Sequence, residues 1–301
     1  MAMTLYQERS SNIWRTVLLM VAFLAIVVAI GYAVSWYFNS SAILYVAIAF
    51  AVFMNFYSYW FSDKQVLSMT NARPANREEF FDFYTVAENM AITAGIPTPK
   101  LYVIADPSPN AFATGRNEKH AVVCATTGLL AMLTRPELEG VIAHEMSHIK
   151  NNDILLMTVA VTLAGFLAII ADLFLRMSFW GGGRDSNDRG GGGGLLMIVA
   201  LVGIVLAPIA AQLIQLAISR RREYLADASG ALLTRYPEGL ASALAKIDAD
   251  HQPMARSNHA TAHLFIEDPF GDQKGNWLNS LFATHPPTRD RIAALLGTKV
   301  S

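Results

Sequence analysis

The sequence predicts a polytopic membrane protein, mainly α-helical, with a small β-sheet in its polar part. Three observations carry that expectation. Of 301 residues, 53% are apolar and only 16% charged, against roughly 25% charged in ordinary soluble chains. The apolar residues are gathered into four long runs. Between and after those runs lie segments with helix caps, helix stops and short β-prone stretches.

The first pair of runs is the clearer. Thr16 to Ser62 is 47 residues without a charge. A bilayer crossing takes about 20 apolar residues, so the stretch holds two crossings. Asn39-Ser40-Ser41 is the break, giving crossings near 16–38 and 42–61. A cleaved leader fits the first run poorly, because it is too long and no small-residue cleavage site is followed by a polar start. The second pair comprises the 18 uncharged residues Ile154–Ala171, ended by Asp172 and Arg176, and the 25 uncharged residues Leu195–Ser219. The glycine-rich segment 181–194 between them has the composition of a flexible linker, and no role is assigned to it. Asp172 leaves the boundary of the third crossing open.

Orientation follows from basic residues near the crossing ends. Arg9, Arg15, Lys64, Lys150, Arg220, Arg221 and Arg222 fall on one side. The 39–41 turn has none, and the glycine-rich side has Arg184, Arg189 and, at its edge, Arg176. Both termini and the 63–153 segment are therefore expected in the cytoplasm. Trp36, Tyr37, Tyr57, Tyr59 and Trp60 suit the interfacial belts, or equally lipid-facing bulk.

In the polar part, Asn76 to about Ala94 reads as an amphipathic helix that stops at Gly95-Ile96-Pro97. Strands are expected at 101–104, Asn110–Thr114 and His120–Thr126, with helices near 220–234, 237–248 and 288–296. The stretch 251–282 is polar and irregular. A single cysteine, Cys124, rules out a disulfide framework or a thiolate zinc cage, and its default role is core packing. A formal charge of −1 excludes a generally basic nucleic-acid binder. No Walker-type loop is present, so no nucleotide site is expected.

The chemistry concentrates at His144-Glu145-Met-Ser-His148. Thr134 and Glu137 form a Thr-x-x-Glu capping box, with Pro136 in the first turn, so a helix starts just before it. Histidines four residues apart share a helix face and can hold one zinc ion, while Glu145 is placed to activate water. A zinc hydrolase needs a third ligand from elsewhere. Glu223 and Asp227 also lie four apart. Spacing alone leaves Glu223 open between zinc ligand and partner of the preceding arginines. Asp227 could fix the tautomer of a ligand histidine.

Ser62-Asp-Lys64 after a hairpin, Asn110-Ala-Phe-Ala-Thr-Gly115, Thr126-Thr-Gly-Leu-Leu130, His144-Glu-Met-Ser-His148, Arg222-Glu-Tyr-Leu-Ala-Asp227 and Thr284-His-Pro-Pro287 occur in this order. As a set they resemble the HtpX membrane metalloproteases, relatives of the CAAX prenyl proteases, over essentially the whole chain. The resemblance implies a gluzincin-type zinc metalloprotease domain with about four transmembrane helices. Its parts would be an N-terminal hairpin (1–62), the first part of the cytoplasmic domain with the zinc helix (63–153), a second hairpin (154–219), and the rest of the domain (220–301).

The same resemblance implies one zinc ion per chain on His144, His148 and Glu223, with Glu145 as general base and Asp227 behind the ligands. Asn110, Ala111, Phe112, Ala113 and Thr114 would pair with an extended substrate backbone, which favours broad specificity. His285 would donate to the oxyanion, or else be a turn histidine held by prolines, and Arg291 matches the basic residue that follows this motif in the family. The implied setting is the bacterial inner membrane. The implied work is cleavage of membrane and cytoplasmic protein substrates in quality control under stress. Prenyl-protein processing and a non-catalytic membrane scaffold are the rival readings. The second hairpin lies between His148 and Glu223, so these residues meet only if both its ends return to one face.

Overall fold

A computed structural model of the chain describes residues 5–181, 202, 212, 219–250, 252–255, 261–270 and 286–298. Two long helices, α1 (Leu5–Tyr37) and α2 (Ser41–Met69), form the first hairpin. Asn39, at φ 47°, makes the turn between them; asparagine tolerates this left-handed conformation better than most residues. The helices pack closely enough that a Cβ on Gly31 would overlap that of Ala47. A third long helix, α6 (Asp153–Gly181), starts one turn after the histidine helix. Among the described residues, Ser10–Tyr37, Ser41–Met69 and Asp153–Asp172 are long and apolar enough to cross a membrane. The fourth expected crossing, 195–219, and the glycine-rich segment lie almost wholly outside the described residues.

The three helices are not equivalent. Most of the apolar window of α6 is buried, whereas α1 and α2 turn most of theirs outward. Leu19 and Phe23 of α1, and Ala51 of α2, pack against Leu156, Val159, Leu163 and Leu167 of α6. Asn12, Thr16, Leu19 and Phe23 are the buried stripe of α1, at the spacing of one helix face. Beyond its expected end, α2 continues past Lys64 to Met69. Helix α6 likewise runs on past Asp172, which pairs with Arg176 one turn later at 2.7 Å.

The polar part is a four-stranded sheet backed by helices. The strands are β1 (Arg73–Pro74), β2 (Lys100–Ile104), β3 (Ala111–Gly115) and β4 (Ala121–Thr126), in the order β1-β2-β4-β3. The β2–β4 pair is parallel and β3–β4 antiparallel, with Phe112 opposite Cys124. Side chains alternate between two faces. Ala111, Ala113, Val123 and Ala125 join the core under α3 (Phe81–Ala94) and α5 (Arg135–Lys150). Phe112 and Cys124 face Met157 and Val161 of α6 and Val66 of α2. The sheet is thus clamped between the histidine helix and the membrane helices. Helix α3 starts later than Asn76, because the Asn76 side chain accepts the N–H groups of Glu78 and Glu79 and makes a turn there.

Helix α5 begins where its capping signal places it. The Glu137 carboxylate accepts the backbone N–H and the hydroxyl of Thr134, each at 2.8 Å. It also accepts from Ser242 and Lys246 of α8 (Pro237–Ala249). Burial would raise the Glu137 carboxyl, but the Lys246, Ser242 and Thr134 hydrogen bonds prevail and lower it from 4.5 to about 2. A carboxyl depressed on folding stabilises above its unfolded pKa, and that stabilisation is lost as pH falls from about 4.5 to 2. Glu137→Gln is expected to cost about 1–2 kcal/mol near neutral pH, a figure reduced for the part-exposed Lys246. Thermal unfolding of the two chains should converge only as the pH falls to about 2.

Candidate metal centre

Helix α5 carries His144 and His148 on one buried face. Helix α7 (Arg220–Thr234) lies against it and brings up Glu223 and Asp227. Gly230, seven residues after Glu223, allows the approach; a Cβ there would lie 3.0 Å from the backbone nitrogen of His144. Residues on either side of the 154–219 segment lie beside this site, Arg222 Nε being 3.6 Å from Asp153 Oδ1.

His144 Nε2 and His148 Nε2 are 3.1 Å apart. Glu223 Oε2 lies 3.7 Å from the first and Oε1 3.7 Å from the second. Four-coordinate zinc with bonds near 2.0–2.1 Å sets its ligand atoms about 3.3–3.4 Å apart. The three side chains bring their ligand atoms within 4.8 Å of one another, close to those separations. The chemistry of the donors agrees. His148 Nδ1 is hydrogen-bonded to Asp153 Oδ2 at 2.9 Å, and His144 Nδ1 lies 2.9 Å from Asp227 Oδ1, though its N–H is not well aimed. Carboxylates beside both Nδ1 atoms favour protons there, which leaves two Nε2 lone pairs facing each other. Such a pair repels unless a proton or a metal cation lies between them. The residues fit a zinc ion.

The electrostatics lean the same way. Burial lowers the His148 pKa, but Glu223, the Asp153 hydrogen bond and Glu145 outweigh it and lift the imidazole to about 9. The surroundings of this ring thus favour positive charge. Glu145 is buried, and burial pushes its carboxyl upward, while His144 and His148 pull it down. A carboxyl raised by burial is a better proton acceptor than an exposed one. Burial also pushes the Cys124 thiol well up, so the one cysteine is a core residue and no candidate nucleophile.

Asp227 is held in turn by Arg291 of α9 (Thr288–Leu296). Arg291 Nη2 donates to Asp227 Oδ1 at 2.7 Å and Nε to Oδ2 at 2.9 Å, the two-pronged geometry that arginine suits. Burial opposes the Asp227 charge, but the Arg291 hydrogen bonds and the nearby His144 ring bring its carboxyl to about 2. The third arm of Arg291 donates to the Ile266 carbonyl at 3.1 Å.

The strand residues expected to meet substrate form an edge. Thr126 N–H donates to the Asn110 carbonyl, and Asn110 N–H to the Thr126 hydroxyl. By antiparallel alternation, Ala111 and Ala113 then turn their N–H and C=O groups away from β4. The Ala111 carbonyl accepts from Ile266 N–H at 2.9 Å. The Asn110 amide donates to the Glu267 carbonyl at 3.0 Å. Phe265 sits edge-on to Phe112 at 5.2 Å. Residues 265–267 therefore run along part of the strand's outer side.

Of the site residues expected from sequence, His144, His148 and Glu223 come together, Glu145 is adjacent, and Asp227 lies behind His144. His285 lies outside the described residues. Sequence reasoning missed Asp153, which orients the second histidine. Its signal was an acidic residue five positions after His148, directly before an uncharged run.

Comparison with known proteins places this arrangement in context. The sequence matches Peptidase family M48 over residues 79–299. A protease HtpX homolog of Caldanaerobacter subterraneus subsp. tengcongensis is 48% identical over 301 residues, covering 97% of each chain. One from Pyrococcus furiosus is 49% identical over 288 residues, covering 94% of this chain and 95% of the relative. The crystal structure of S. mikatae Ste24p shares the fold at a TM-score of 0.52 and 19% identity, over 96% of this chain and 67% of that one.

Proposed function

The chain belongs to peptidase family M48, and from that premise we propose that it is a zinc-dependent endopeptidase of the cell membrane, cleaving misfolded or damaged membrane proteins. The observation that carries the reading is the convergence of His144, His148 and Glu223 within 4.8 Å, with Glu145 alongside. Zinc held there would supply Lewis acidity, polarising a carbonyl and acidifying water. Glu145 takes the proton from the attacking water and returns it to the leaving amine. Asp227 and Asp153 hold the two imidazoles in the tautomer that presents Nε2. His285 is proposed as a donor to the oxyanion.

The outward N–H and C=O of Ala113, without a partner among the described residues, support pairing of β3 with an extended substrate backbone. Such pairing reads main chain rather than side chains, which suits damaged proteins of varied sequence. The distribution of basic residues supports a catalytic domain and termini on the cytoplasmic side, where loops of membrane proteins are within reach.

The test is cleavage of an unfolded soluble protein by the full chain in detergent, with products identified by mass spectrometry. Cleavage is expected to stop with a zinc chelator and return when zinc is restored. Chelator-insensitive products would contradict the metal reading. Turnover of a farnesylated peptide alone would favour the prenyl-protease reading instead.

A further inference from the structure

We propose that Asn12, on the first membrane helix, is a positioning residue of the metal centre, acting on His148 through Asp153. The inference rests on the metal-site reading above. Asn12 is completely buried, two residues inside the first crossing. Its amide nitrogen donates to the Asp153 Oδ1 at 2.5 Å and to the Asn151 carbonyl at 3.1 Å. Asp153 Oδ2 meets His148 Nδ1 at 2.9 Å. One carboxylate therefore bridges a residue of α1 and a metal-ligand candidate 136 positions away in sequence (148 − 12 = 136).

The orientation of the Asn12 amide is fixed by its neighbours. Both groups it faces are acceptors, so turning it over would set its oxygen against a carboxylate and a carbonyl. The consequence is that its own carbonyl oxygen has no partner among the described residues. A buried polar group left half-satisfied costs roughly 1–3 kcal/mol. Packing alone would be served better by an apolar residue, as at Leu19 and Phe23 on the same stripe. The two donated bonds are what Asn12 contributes that an apolar residue cannot.

Those bonds act on the turn between α5 and α6. Asn151 is the cap of the histidine helix, and Asp153 is the first residue of α6. Asn12 grips both. Among the described residues, the cation beside Asp153 Oδ1 is Arg222, whose Nε lies at 3.6 Å, beyond hydrogen-bond length. Without Asn12 the carboxylate loses its short bond on Oδ1 and is freer to rotate, and the His148 ring with it. The metal centre is thus braced by a side chain of α1 as well as by α5 and α7.

The test is zinc affinity of the full chain in detergent, by competition with a chromophoric chelator, together with the absorption bands of the cobalt-substituted protein. Removing a group that directly orients a metal ligand typically costs 10–100-fold in affinity. Asp153→Ala should fall in that range, and Asn12→Ala, one contact further out, should lose about 3–10-fold with altered cobalt bands. Asn12→Gln, which keeps an amide donor, should recover part of the loss. Leu19→Ala weakens the same helix contact without touching Asp153, so it should lower thermal stability and leave zinc affinity and the cobalt bands as in the parent. Unchanged affinity and bands in Asn12→Ala, or an equal zinc loss in Leu19→Ala, would overturn the positioning role. A parent chain that binds no zinc would overturn the metal reading itself, and this inference with it.

Discussion

Glu145→Gln is expected to lower peptide cleavage by about 10²–10⁴-fold, the range for losing a general base, while zinc stays bound. The separation of the two readouts is the point. Glu145 is one position along α5 from His144, outside the group of three ligand atoms. Glutamine is nearly the same size and fits the same buried position. It cannot accept a proton from water. Its amide leaves the His144–His148–Glu223 distances unaltered. Cleavage rates on an unfolded protein, paired with metal analysis of the same sample, check both halves. A Glu145→Gln chain that cleaves like the parent would remove Glu145 from the chemistry.

The second large effect lies behind the ligands. Arg291 is fully buried and meets Asp227 with two hydrogen bonds. Arg291→Met would leave the Asp227 carboxylate buried without its cation, and breaking one side of such a pair costs about 3–5 kcal/mol. The same change frees the Ile266 carbonyl that Arg291 holds. A marked drop in the thermal midpoint is expected. Replacing both partners with apolar residues, as in Asp227→Leu with Arg291→Met, should recover much of the stability, because no lone charge then remains. It should not recover full zinc affinity, since His144 keeps no carboxylate beside Nδ1. If the double variant regained stability and zinc together, Asp227 would be a structural residue only.

These predictions draw on parts of the site that were unequally visible in the sequence. His144 and His148 were legible because a four-residue spacing behind a helix cap fixes their common face without any tertiary information. Glu223 was not decided by spacing, because a glutamate after three arginines reads equally well as their partner. Its placement needed α7 to lie on α5, a contact made through Gly230 that no local pattern announces. Asp153 was hidden by its position, at the start of an apolar run where an acid also suits a helix N-terminus. Asn12 was hidden more deeply. Nothing near it in sequence shares its function, and its partners lie 139 and 141 residues away.

The fold shows the same division. Long uncharged runs gave α1, α2 and α6, and their exposed and buried faces followed only from packing, with α6 innermost. The strands at 100–104, 111–115 and 121–126 were expected within a residue or so. β1 has two residues and α4 (Thr127–Met132) six, too short for a hydrophobic period to register. The segment 265–267 reads as irregular in sequence, because what orders it is the edge of β3 and the side chain of Arg291.

The proposed centre is one metal ion held by three side chains from two helices. Its most direct test is the metal content of the full-length chain and of Glu223→Ala, both purified identically and shown to be folded. The prediction is one zinc per parent chain and little or none in the variant. Equal zinc in the two proteins would contradict the account.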